Sequence, residues 1–359
     1  MINTFPTYYK KFRCIADKCS DTCCAGWDVV VDSESLKKYK ALKGAYADKI
    51  NSLITVDSDG DCIFISKEKH CPFLLESGLC EMHIKLGEEA LCRTCRQFPR
   101  HKTYFGARVE TGISLSCPEA ARLITESPDP IIFESEEIHA EIFPTAIDPE
   151  RYFILYEARK TAINILQNRN FSIEKRIIAF LEFSQVIQVC LRKKEFVKVK
   201  KLTASDFLGK SCGEYLQKRA SRALSRYFSD FKSMEMLNSN WLSELEKAEN
   251  AQISSCPEYE WEFEHMMVYF VFRYFMTAVF DGDLLTKSKF AAVSFIVIRR
   301  LQQEIASDKQ ARIRTMQKYS KEVEHSAQNM EYLCSAMKKS RFYSVENITN
   351  ILSLKEEIK

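Results

Sequence analysis

Glycine is scarce in this 359-residue chain, ten in all, and none sits in a GxGxxG or GxxxxGKS/T phosphate loop. A glycine-cradled nucleotide site is excluded, so any nucleotide-like cofactor binds some other way. Long apolar runs are missing too. The longest, Met266 to Phe280, is interrupted by Arg273 and falls short of the roughly 20 residues that span a bilayer. It reads as a buried helix of a soluble protein, with no membrane partner. Neither sign of charge dominates, 52 Lys and Arg against 49 Asp and Glu, which removes the electrostatic case for nucleic acid as a ligand. The first residues carry basic side chains but no apolar run ahead of them, so no secretory or transit signal is expected and the chain reads as cytoplasmic.

What the chain has is cysteine. Ten of its fourteen fall between Cys14 and Cys117, and nine of these are grouped: Cys14, Cys19, Cys23 and Cys24; then Cys71, Cys80, Cys92 and Cys95; then Cys117, with Cys62 lying between the first two groups. Clustered thiols in a reducing compartment signal metal or redox chemistry more often than structural bridges. Close spacing lets one loop present two thiolates to one centre, while distant groups close the site on folding. A tetrahedral zinc ion and a [4Fe–4S] cluster each need four ligands, so ten thiols imply spare cysteines or two centres. Cys62 and Cys92 are the weakest ligand candidates. Cys190, Cys212, Cys256 and Cys334 stand alone and read as small buried packing residues. His70 and His83 adjoin cysteines and rank below the thiols as ligands.

The pattern predicts a mainly α protein: a small cysteine-rich α+β cluster-binding domain over 1–126, an irregular Pro- and acid-rich linker over 127–150, and an all-α helical domain over 151–359. Strands are expected at Trp27–Asp32 and Cys62–Ile65, with a hairpin around Gly106 between Lys102 and Ser116. Ser33 is placed to cap the helix that follows it. Beyond Arg151, helical periodicity predicts helices from Tyr152, from Ser172, and near 204–233, 239–250, 259–280, 288–306 and 309–339, with a short one after Ser344.

Several of these pieces agree with a known family in order, spacing and flanking residues. They are Phe12-x-Cys14, Cys19-Ser20-Asp21-Thr22-Cys23-Cys24-x-Gly26-Trp27, Cys71-Pro72-Phe73-Leu74, Gly78-Leu79-Cys80-Glu81-Met82-His83, Cys95-x2-Phe98-Pro99-Arg100 and Ser116-Cys117-Pro118-Glu119. The chain resembles the FliB-type flagellin lysine N-methylases. That resemblance implies methyl transfer from S-adenosylmethionine to lysines of flagellin or another protein, and a [4Fe–4S] cluster. It maps the family's recurring cysteines onto Cys14, Cys19, Cys23, Cys24, Cys71, Cys80, Cys95 and Cys117. A wider group of short proteins shares the CxxxCC element and is described as zinc- or iron-chelating, so a non-catalytic Zn2+- or iron-binding protein is the alternative. Flagellar members carry asparagines in the helix aligned with 262–272, where this chain has Glu264, His265 and Tyr269. That departure leaves room for a different target.

Lysine methylation is an in-line displacement, which requires an aligned donor and a neutral amine. With no glycine loop and dense thiols, an incompletely ligated cluster iron is expected to meet the methionine end of the donor. Arg93, Arg96, Arg100 and His101 lie beside the thiols. Arg96 and Arg100 are the candidates to receive the donor's carboxylate, against the alternative of a solvated patch. In the helical half, Glu262, His265 and Tyr269, with Arg273, fall at spacings that share a helix face and are the candidate catalytic groups. Ordinary core hydrogen bonding is the competing reading for the histidine and tyrosine.

Overall fold

The computed structural model describes residues 1–58, 60–66, 70–140, 145–209, 217–254 and 256–354. The N-terminal part runs β1 (Ile2–Pro6), α1 (Ser33–Ala41), α2 (Ala45–Ser52), β2 (Ile54–Val56), β3 (Cys62–Phe64), α3 (Glu81–Leu86), α4 (Arg93–Gln97), β4 (Arg100–Phe105), β5 (Arg108–Ile113), α5 (Pro118–Ile124) and β6 (Phe133–Glu137). Helices then take over: α6 (Pro149–Leu166), α7 (Ile173–Lys193), α8 (Phe196–Lys201), α9 (Gln217–Lys232), α10 (Trp241–Glu249), α11 (Glu260–Tyr274), α12 (Ala278–Asp281), α13 (Leu284–Ile305), α14 (Lys309–Val323), α15 (Ala327–Lys339) and α16 (Val345–Leu352). The protein is mainly α with a small strand-containing N-terminal region. None of the described helices is long and apolar enough to cross a membrane.

The sheet order is β4-β5-β1-β6. β4 and β5 form the expected hairpin, Phe105 facing Arg108 across a turn in which Gly106 takes φ +64. β1 lies parallel to β5 and antiparallel to β6. The segment read as an irregular linker therefore contains a strand. Its sequence, FESEE, is mostly acidic because it is an edge, where charge blocks further strand pairing.

Several local expectations shift. Residues 27–32 do not form a strand. They touch β3 only through an isolated bridge, with Val31 N–H donating to Cys62 and Phe64 N–H to Val29. Asp32, not Ser33, caps α1, its carboxylate accepting from Ser35 N–H at 3.1 Å. A carboxylate outcompetes the neighbouring hydroxyl for a helix N-terminus that carries partial positive charge. The expected helix over 309–339 breaks into α14 and α15 because Ser326 starts a new N-cap, accepting from Asn329 N–H. Over 204–233, Ala204–Asp206 is a separate 3-10 turn and α9 begins at Gln217.

Burial forms two apolar clusters. The larger surrounds α13, which is buried almost all round as a central helix must be, and it includes α6, α7 and α11. Tyr8, Phe12, Phe105, Ile113, Leu115 and Cys117 belong to the same cluster, so residues on both sides of 127–150 share one core. Arg159 of α6 reaches Glu110 of β5 through two hydrogen bonds of 2.6 and 2.5 Å, with both side chains buried. The smaller cluster is built from Val29, Val31, Tyr39, Ile50, Phe64, Phe73 and Met82, and cysteines complete it.

Candidate functional site

All thirteen described cysteines are free thiols; Cys212, read as a packing residue, lies outside the described residues. Cys190 and Cys256 are buried among the helices and Cys334 is half-buried. The eight expected ligands divide into two neighbourhoods. Cys24, Cys71, Cys80 and Cys95 all belong to the smaller apolar cluster, where Cys92 joins them. Cys71 interacts electrostatically with Cys24, Cys80 and Cys92, and Cys95 with Cys92, Cys24 and Cys71. Cys14, Cys19, Cys23 and Cys117 form the second set: Cys23 interacts with Cys14 and Cys117, and Cys117 with Cys19 and Cys14. A hydrogen bond between Cys23 and Cys24 joins the two sets. Cys92, ranked weak from sequence, sits at the centre of the first set, while Cys62 stays at its edge, partly buried.

Local backbone geometry makes the first set. Cys71 N–H donates to the Cys24 carbonyl at 2.8 Å, pinning two distant loops together. Leu74 and Cys80 bridge across a turn at Gly78, where φ is +79. Cys80 and Cys92 occupy the N-cap positions of α3 and α4, and Cys95 follows one turn later, its Sγ 3.5 Å from that of Cys92. Arg93 N–H to Asp32 and Thr94 Oγ1 to the Val30 carbonyl, both 2.8 Å, tie α4 down. Burial pushes the Cys71 thiol up to about 12 and Cys117 up to about 11, and their thiol neighbours add to both shifts. Hydrogen bonding with its neighbour lowers Cys24, to about 6, and also lowers Cys92; their partners Cys23 and Cys95 move up. Among the described residues, no three His, Cys, Asp or Glu side chains converge closely enough to grip one metal ion. His70 and His83 are both exposed.

Arg96 lies 3.5 Å from Glu89, and its buried Nε has no partner. Arg100 instead stacks its guanidinium 4.8 Å over the Phe12 ring. Arg93 is exposed.

The helical candidates sit on α11, facing α5 and α14. Glu262 is held by Arg312 through two bonds of 2.8 Å. His265 Nδ1 is 2.9 Å from the Ile124 carbonyl, to which it donates, while its buried Nε2 has no partner among the described residues; burial lowers its pKa. Glu264 is taken by Arg169 and Arg176. Tyr269 stands apart from these, at the centre of a polar network.

That network escaped sequence reading. Glu324, just past the end of α14, has a side chain with no exposure, and its Oε2 accepts from Tyr269 at 2.9 Å and Tyr274 at 2.6 Å. Arg273 donates to Tyr269 Oη at 2.8 Å and brings its Nε to 3.5 Å from Glu324. Glu324 Oε1 is buried and has no hydrogen-bond partner among the described residues. The next residue, His325, has its Nε2 2.6 Å from Ser116 Oγ and 3.0 Å from Ser114 Oγ, and it stacks on Trp27 with centroids 5.2 Å apart. Ser114 and Ser116 lead directly into Cys117, and Trp27 follows Cys24, so the network abuts both thiol sets. No motif marks Glu324 or His325; only the fold brings them to Tyr269.

Residues 159–351, more than half of the chain, match the family described as FliB lysine N-methylase C-terminal domain. The chain belongs to this family. The FliB match contains Tyr269, Arg273 and Glu324 and begins downstream of both thiol sets. The FliB-family chain is 30% identical over 197 residues to a protein named Lysine-N-methylase from Salmonella typhimurium, covering 52% of this chain and 47% of that protein. A Lysine-N-methylase from Salmonella choleraesuis matches to the same extent. A Flagellar biosynthetic protein FliU from Salmonella muenchen is 37% identical over 133 residues, 35% of this chain and 78% of that protein. The chain thus spans about half the length of the lysine-N-methylases it matches. No solved structure matches it.

Proposed function

We propose that this chain is a cytoplasmic, S-adenosylmethionine-dependent protein-lysine N-methyltransferase that modifies flagellin and carries an iron–sulfur cluster. Family membership across 159–351 carries the reading, and the names of the relatives, lysine-N-methylase and flagellar biosynthetic protein, supply the reaction and the class of target.

The cluster rests on the donor set. Six soft thiols line one apolar cluster, Cys24, Cys71, Cys80, Cys92 and Cys95 with Cys62 at its edge, the ligand chemistry of zinc and iron–sulfur centres. One zinc ion draws four thiolates to about 2.3 Å and hence close to one another. Thiolates of a [4Fe–4S] cluster each bind a different iron and stand further apart. Thiols gathered from separate segments into one neighbourhood suit such a cluster, with its holders drawn from Cys24, Cys71, Cys80, Cys92 and Cys95 and fewer than four of them needed if one iron is to stay open. When bound, such a cluster would supply Lewis acidity toward the methionine end of the donor through an iron left without a thiolate. The helical half has a share in the reaction as well, since a chelating module alone has no use for it.

Anaerobic purification with iron, sulfide and zinc quantification tests the metal, and labelled S-adenosylmethionine with candidate flagellin tests the reaction. Iron with equimolar sulfide and labelled lysine is the expected result. Zinc without sulfide would replace the cluster, and label-free flagellin with intact, loaded protein would remove the enzymatic reading.

A further inference from the structure

Glu324 is a carboxylate with unequal oxygens. Oε2 is saturated, receiving two phenol protons and the approach of a guanidinium, while Oε1 is buried and accepts nothing from the described residues. A buried acceptor left unpaired costs free energy, which a donor reaching it would recover. The surroundings specify the donor. Tyr269, Tyr274 and Arg273 hold the carboxylate in one orientation, and Arg273 and Tyr274 are the half-buried members, on the side of the network nearest solvent. Arg273 balances the charge of Glu324. The site therefore favours a neutral group with N–H donors over a second cation.

We propose that Glu324 Oε1 receives the ε-amine of the methyl-accepting lysine, a primary alkylamine site that rests on the methyltransferase reading above. Arg273 disfavours the ammonium form, so the lysine gives its proton to solvent on entry and binds as the free amine. The nitrogen lone pair then forms the new N–C bond as the methyl carbon's bond to sulfur breaks and its electron pair stays on sulfur. Positive charge develops on nitrogen in that step, and the N–H directed at Oε1 places a carboxylate against it. Tyr269, Tyr274 and Arg273 act as positioning residues.

The test uses n-butylamine and the full chain. Calorimetric titration of the wild type is expected to show binding of n-butylamine in preference to 1-butanol. Glu324→Gln is expected to weaken amine binding by roughly tenfold or more, the loss of a hydrogen bond to a charged acceptor. Its kcat with flagellin should fall by about 100-fold, with the KM for S-adenosylmethionine unchanged. Glu324→Asp, which keeps the charge one methylene further back, should fall between the two. Wild-type protein that does not bind n-butylamine overturns the proposal, as does a folded Glu324→Gln that binds it like the wild type. If Glu324→Gln does not fold, the wild-type titration and Glu324→Asp decide. Amine binding that needs Glu324 in a protein unable to methylate would leave this site standing and remove the methyltransferase reading.

Discussion

At the scale of single residues, the buried charges of this protein have separate duties. Glu110 and Arg159 pair across the contact between β5 and α6 with neither side chain exposed by more than 8%. Replacing one partner strands the other. Glu110→Gln should therefore destabilise the protein by about 3–5 kcal/mol in urea unfolding, while an apolar replacement of both partners costs much less. His265 has the opposite character: burial lowers its pKa, outweighing the Ile124 carbonyl and Glu264, which raise it. Its neutral form is the folded form, so the unfolded chain binds the extra proton. Stability is whole above the ordinary value of about 6.5 and is lost as pH falls from there toward the folded pKa. Thermal melts at about pH 7.5 and about pH 5 should show a smaller difference for His265→Gln than for the wild type. The residues legible from sequence were those whose type is diagnostic by itself. Cysteine is one such type; a glutamate just past the end of α14 is not, because glutamate usually faces water.

At the scale of elements, α14 joins the two halves of the molecule. Its Gln317 donates to Asp21 at 2.7 Å and to the Ser116 carbonyl at 2.9 Å, and its Lys321 pairs with Asp21 at 2.7 Å. Lys321 also packs 3.2 Å from where a Cβ on Gly26 would stand, and Gly26 has φ +98. The left-handed backbone requires glycine there, whereas the contact asks the flexible end of Lys321 to yield by only a few tenths of an ångström. Asp21→Ala removes two of these ties at once. Because Asp21 is partly exposed, global stability should change by about 1 kcal/mol or less, while amide exchange across residues 14–28 accelerates and α13 is unaffected. Equal protection of the loop in wild type and variant would count against α14 as the clamp. Periodicity found most helices of the second half because each has one apolar face. It merged α14 with α15 because a break of three residues does not disturb the apolar rhythm, and it missed β6 because an edge strand facing solvent has no alternation to detect.

At the scale of the whole molecule, one large core spans the described N-terminal sheet and the helices, and a second, smaller core is completed by thiols. The two should respond differently to loss of a bound centre. A thiolate-ligated cluster contributes its binding energy to the segment that supplies the ligands. Stripping iron with a chelator under anaerobic conditions is expected to open residues 14–95 to limited proteolysis while the fragment from α6 to α16 survives. Cleavage that begins among the helices would contradict this.

The chain's own order of residues determined its class: the thiols' number and grouping, the shift to helical rhythm after Arg151, and the family resemblance carried by contiguous motifs. Each of these is a local property that spacing along the chain conveys. Folding alone decided which thiols share a neighbourhood, dividing eight expected ligands four and four and promoting Cys92. It also decided that Tyr269, Arg273, Tyr274 and Glu324 meet, with one carboxylate oxygen left open. Such contacts join groups some 50 residues apart. No sequence period records them, because they follow from how folding sets α11 against the end of α14.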